Sequence, residues 1–174
     1  MLVGGIRCAQ LVVLRAMAIG ARVVVQTARP GAWEPFVRGA AGPEGSISVV
    51  LSGRTIEVPP GSALSPLLAV VDVGATGVEE QPGLGWQATL TIRDDIVSAD
   101  VGAVSRADFL LLQRLRAEEA DLLRDAIGVG DAAAWFAKIR PDMVGLVNRQ
   151  VVRWAVLAQT PIELQLIGSA SRGT

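Results

Sequence analysis

MLVGGIRCAQLVVLRAMAIGARVVVQT, residues 1–27, is the stretch whose reading decides the fold. Met1–Val3 is a short apolar run closed by Gly4-Gly5. Ile6 to Ile19 then has helical length and good helix formers, with Arg7, Gln10 and Arg15 in one sector of the wheel and Ala9, Val12, Val13, Met17 and Ile19 filling the rest. Gly20 suits the left-handed position just past a helix end, where a missing Cβ removes the steric penalty. Arg22–Thr27 follows, β-branched and continuous enough to be buried on both faces, as a strand covered by helices must be. Strand, helix and strand at this spacing predict a right-handed βαβ crossover and the α/β class.

Working outward, Arg29 precedes a proline and so prefers an extended backbone, while Pro30 opens a short helix carrying Trp33, Phe36 and Val37. Ile47, Val49 and Leu51 alternate with Ser46, Ser48 and Val50 as a strand, and Ser52-Gly53 turns it into a hairpin partner over Arg54–Val58. Leu67–Val73 is an apolar strand with Asp72 near its end, and Trp86–Arg93 alternates with a period of two. Asp108–Leu115 reads as a strand and Arg116–Ile127 as a helix, with Glu118 and Glu119 in its first turn and Arg124 in its last, as the helix dipole favours. A second short helix spans Ala132–Ile139, and Met143–Val147, Val151–Leu157 and Ile162–Ile167 read as three closing strands. The expectation is one α/β domain over residues 1–168, a mixed, mostly parallel sheet of about seven to nine strands with helices packed on it, Rossmann-like. Residues 169–174 are expected to form a flexible tail.

Composition narrows the chemistry. The 174 residues contain no His and no Tyr, which removes Ser-His-Asp and Cys-His catalysis, His-liganded zinc and His pH switching. The lone Cys8 has no disulfide partner, and without a neighbouring base it reads as a small core residue. Sixteen basic against seventeen acidic side chains leave a net charge of -1, so no nucleic-acid partner is expected. A spanning helix needs roughly 20 mostly apolar residues. Arg7 and Arg15 break the N-terminal apolar stretch, and Pro66 and Asp72 break the one near Leu64–Val73, so the chain is expected to be cytosolic as it stands.

Several motifs remain as candidates. Gly83-Leu-Gly85-Trp-Gln-Ala88 matches a loose dinucleotide fingerprint, but a strand rather than a helix follows it, so it reads as a turn. No phosphate-binding G-x-x-x-x-G-K-[ST] loop occurs; the one lysine is Lys138. Asp94, Asp95 and Asp100 are residue types that bind a hard cation such as Mg²⁺, against the plainer reading of a solvated turn. Asp72 stands where ligands of open α/β sheets bind, beyond a strand end, against a plainer turn-capping role. Glu79-Glu80 and Glu118-Glu119 read as a polar loop and a helix start rather than acid–base pairs. Arg29 and Trp33 follow a buried strand at the ligand edge of the sheet and are residue types enriched in binding hot spots, which makes them the partner-contact candidates.

Two stretches resemble a known family. Leu14–Trp33, LRAMAIGARVVVQTARPGAW, is similar to a segment of EccE, a membrane-complex component of the actinobacterial type VII (ESX) secretion system. The second runs from DFLLLQRL at residues 108–115 and Glu119-Ala120, through PDMVGLV at 141–147, to RWAVL at 153–157 and TPIE at 160–163, and resembles the rest of that family's cytosolic domain in order and spacing. The resemblance implies a degenerate glycosyltransferase-like α/β fold and a non-catalytic translocon component at the cytoplasmic side of the inner membrane. It implies other secretion-complex membrane subunits as partners, no cofactor, no metal and no small-molecule substrate. Membrane attachment would come only through segments absent from this chain. The competing expectation is a small nucleotide- or nucleotide-sugar-binding enzyme domain using Asp72 or Asp94/Asp95 with a divalent metal.

Overall fold

A computed structural model of the chain describes residues 1–40, 45–54, 59–74, 85–148 and 151–172. In chain order the elements are β1 (Leu2–Val3), α1 (Ile6–Ala18), β2 (Arg22–Thr27), α2 (Pro30–Ala40), β3 (Ile47–Leu51), β4 (Leu67–Asp72) and β5 (Gln87–Arg93). A single 3₁₀ turn then leads into α3 (Val101–Arg106), followed by β6 (Leu110–Leu112), α4 (Ala117–Ala126), α5 (Ala133–Phe136), β7 (Met143–Asn148), β8 (Val151–Val156) and α6 (Pro161–Ile167). The eight strands form one mixed sheet in the order β3-β2-β4-β5-β1-β6-β7-β8. From β3 to β6 every pairing is parallel, whereas β7 and β8 add antiparallel. The α/β class and the mostly parallel mixed sheet are those the sequence predicts.

The first 27 residues fold as their pattern dictates. Gly20 adopts φ 91°, its N–H donates to the Met17 carbonyl (2.9 Å) and the Ala21 N–H to the Ala16 carbonyl (3.0 Å). That paired arrangement closes α1 and turns the chain into β2. β1 and β2 run parallel, but β5 and β4 lie between them, so the opening unit spans the sheet instead of joining neighbours.

Helices cover both faces. One core cluster joins α1, α2 and α6 to the sheet through Leu11, Val13, Val25, Trp33, Phe36 and Ile167. The other joins α3, α4 and α5 through Val104, Leu123, Phe136 and Val147. Successive strand side chains point to opposite faces, so the two residues of β1 divide between the cores, Leu2 to the first and Val3 to the second.

Three expectations are corrected. Ile162–Ile167 is helix α6, because Thr160 accepts the Glu163 N–H (3.2 Å), the Glu163 carboxylate accepts the Thr160 N–H (2.7 Å), and Pro161 takes the first helical position. The strand expected over Asp108–Leu115 is only three residues long, and the helical stretch Ser98–Arg106 was not expected at all. The tail is not loose from 169 onward: Ala170 is 1 % exposed, its N–H donates to Gln159 Oε1 (2.8 Å) and its carbonyl accepts from Gln113 (2.6 Å). The hairpin partner expected at 54–58 lies, past Arg54, outside the described residues. Among the described residues, no helix is long and apolar enough to cross a membrane.

Candidate functional site

β2, β4, β5 and β1 all end on the same side of the sheet, the side where open α/β sheets place their ligands. A cleft of about 370 Å³ opens there, lined by Arg29, Asp72, Gly74, Arg93, Asp94 and Asp100 among others. Its floor follows from strand register. Thr27, the last residue of β2, is paired with Asp72, the last of β4, so two apolar strands deliver two polar side chains to one level.

Asp72 is 4 % exposed, a position a carboxylate tolerates only with full hydrogen bonding. The Thr27 hydroxyl donates to its Oδ2 (2.9 Å), and the Trp33 indole N–H donates to the same oxygen (2.8 Å). Arg29 closes the remaining side, Nε to Oδ2 (2.9 Å) and Nη2 to Oδ1 (2.8 Å). The same guanidinium reaches outward to Asp94, Nη1 to Oδ2 (2.6 Å) and Nη2 to Oδ1 (3.0 Å). Hydrogen bonds to Asp72 and then Asp94 raise the pKa of Arg29 further above its ordinary value, so the clamp is permanently charged. Thr27 also accepts the Arg29 N–H (3.0 Å), which sets the backbone just before α2 and lets Trp33 turn inward.

The partner-contact candidates therefore separate. Trp33 is completely buried, which corrects its expected role: its surface is spent on the core and on Asp72. Arg29 keeps 38 % of its side chain exposed while holding both aspartates.

The carboxylates offered for a cation diverge onto different arginines. Asp94 goes to Arg29, Asp95 to Arg116 (3.0 Å) and Arg172 (3.1 Å), and buried Asp100 to Arg93 (2.9 Å). Among the described residues, no group of three or more acidic or cysteine side chains is arranged to hold a metal ion. Burial pushes the Cys8 thiol up to about 12, so it stays protonated inside the core. Glu79-Glu80 and the first residues of the Gly83–Ala88 motif lie outside the described residues.

A second ionic cluster beside the cleft escaped sequence reading. Glu119, 2 % exposed, accepts the N–H groups of Arg116 (2.7 Å) and Ile96 (3.1 Å) and both terminal nitrogens of Arg172 (2.9 and 3.1 Å). Burial pushes its carboxyl up, but the bonds from Arg172 and the two backbone N–H groups outweigh that and hold it below the ordinary carboxylate range. The available signal was a glutamate in the first turn of a predicted helix, where it can reach back to the N–H of the residue that precedes the helix; nothing local points to Arg172. At the β1–α1 turn, the Gly5 N–H donates to Gln113 Oε1 (2.9 Å), and the Gln113 side chain packs so close to Gly4 that a Cβ there would overlap it. The start of α1 is thus capped by the chain's own amide.

No protein-family model matches the chain, and no curated protein matches it. Among solved structures, the DNA-packaging ATPase from Sulfolobus Turreted Icosahedral Virus is similar, with a TM-score of 0.56 and 10% sequence identity over 91% of this chain and 96% of that one. The likeness is one of fold: a layered α/β body around a mostly parallel sheet.

Proposed function

We propose that this chain is a non-catalytic, partner-binding domain of a type VII secretion membrane complex, acting at the cytoplasmic side of the inner membrane. The observation that carries the reading is the Arg29 clamp. Where an α/β enzyme would present free carboxylates, Asp72 and Asp94 are both engaged by one guanidinium. The stretch Leu14–Trp33, which resembles EccE, is the stretch that supplies this clamp. Its Arg29 and Trp33 thus have a structural task that needs no substrate. Partner binding is supported by apolar side chains left outside, among them Trp135 at 62 % and Ile162 at 74 % exposure.

Co-purification from native actinobacterial membranes tests the reading directly: the secretion-complex subunits are expected with the tagged chain. The competing nucleotide-sugar enzyme makes an opposite prediction in a melting experiment. A UDP-sugar with Mg²⁺ or Mn²⁺ at about a hundred times its dissociation constant would stabilise the fold by about 2.7 kcal/mol and raise Tm by roughly 5–10 °C. No shift is expected, and a shift of that size would replace the proposal with the enzyme.

A further inference from the structure

β8 closes one side of the sheet, and among the described residues no strand pairs with its outer edge. It pairs with β7 without a bulge from Met143↔Val156 to Asn148↔Val151. Its sequence, VVRWAV, is apolar except for Arg153. Edge strands are normally blunted by charged side chains, by proline, by a bulge or by a covering element; β8 carries a single charge, Arg153, and neither a proline nor a bulge. Val151, Trp154 and Val156 are 57 %, 40 % and 54 % exposed.

The hydrogen-bond parity of the edge is fixed. The Leu157 N–H donates to the Asp142 carbonyl (2.7 Å), one residue beyond the strand. Alternate residues therefore turn their N–H and C=O toward β7, and Val152, Trp154 and Val156 turn theirs outward. Trp154 is already held in place, its ring 4.9 Å from that of Phe136 on α5.

We propose that β8 is a homodimer interface, pairing antiparallel with β8 of a second copy about a two-fold axis through Trp154. A two-fold axis perpendicular to the sheet keeps every side chain on its own face, so it must pass through a residue position. Centred on Trp154, the strand reads the same from both ends, Val-x-Trp-x-Val. Val152 of one copy then faces Val156 of the other, the two tryptophans face each other, and Arg153 faces Ala155. Every outward N–H and C=O from Val152 to Val156 is satisfied, and aromatic and β-branched side chains stand opposite one another. Centred on Arg153 instead, two guanidinium groups would meet on a close, non-hydrogen-bonded pair, which is destabilising. Pairing consumes the edge, so the assembly closes at two copies instead of growing into a fibre. A net charge of -1 per chain opposes it little. The inference is independent of any secretion role.

Sedimentation equilibrium on the full chain is expected to show a concentration-dependent species at twice 18.2 kDa. Val156→Pro deletes an outward N–H while leaving the β7 ladder intact, and is expected to weaken dimerisation at least about tenfold with unchanged circular dichroism. Arg153→Cys together with Ala155→Cys places thiols on facing positions about 4.5 Å apart between Cα atoms, within disulfide range. This doubly substituted chain is expected to form disulfide-linked dimers on oxidation and carries the test even if the proline variant misfolds. A species of one chain's mass at every concentration, a dimer indifferent to a folded Val156→Pro variant, or cross-linking by Arg153→Cys alone as readily as by the pair would each overturn the proposal.

Discussion

Asp72 shows how much one buried carboxylate can organise. Thr27, Arg29 and Trp33 come from the end of β2, the following loop and α2, and all three meet on its two oxygens. Without Arg29, the Asp72 charge would keep only the Thr27 hydroxyl and the Trp33 indole N–H as donors, both on one of its two oxygens. Arg29 is itself 38 % exposed, so Arg29→Met is expected to lower stability by about 1–3 kcal/mol, less than for a fully buried pair, read from urea unfolding. Part of this centre was legible in the sequence: an arginine and a tryptophan just past a buried strand, and an aspartate ending another. Their mutual contact was not legible, because it depends on β2 and β4 being neighbours in register, a property of the sheet that no local pattern encodes.

At the scale of elements, periodicity served well for the buried parallel strands and misled at the last helix. Arg22–Thr27 was readable to the residue and Ile47–Leu51 to within one. In α6, the alternation of Ile162, Leu164 and Leu166 imitates a strand, yet the residues it buries are Glu163 and Ile167, four apart as a helix requires. The better signal was the Thr160-Pro161-x-Glu163 start. Glu163 also docks α6 onto α1 through Arg15 (2.8 Å). The bonds from Arg15 and then the Thr160 N–H bring its carboxyl down from 4.5 to about 2. Folding therefore favours the ionised form, and this contribution is complete above pH 4.5 and fades as the pH falls toward 2. Urea midpoints measured across that window are expected to fall more steeply for the native sequence than for Glu163→Gln, which has no charge to lose.

For the molecule as a whole, the last described residues act as a fastening. Arg172, with 12 % of its side chain exposed, spans from buried Glu119 to Asp95 and to the Arg114 and Asp94 carbonyls, tying α4 to the loop after β5. Arg172→Ala is expected to cost about 3 kcal/mol or more by leaving Glu119 under-paired in the interior, with the loss visible in the thermal midpoint.

The two-residue strand β1 has a kinetic consequence. Leu2 is flanked by Ile92 on one side and Leu111 on the other. The block β3-β2-β4-β5 and the block β6-β7-β8 can each zip up from strands close in sequence, but among the described residues the sheet joins them through β1 alone. Closing that seam brings together segments separated by most of the polypeptide, a search that is entropically expensive. Refolding should therefore pass its slowest point when the earliest residues slot between two ready-made halves.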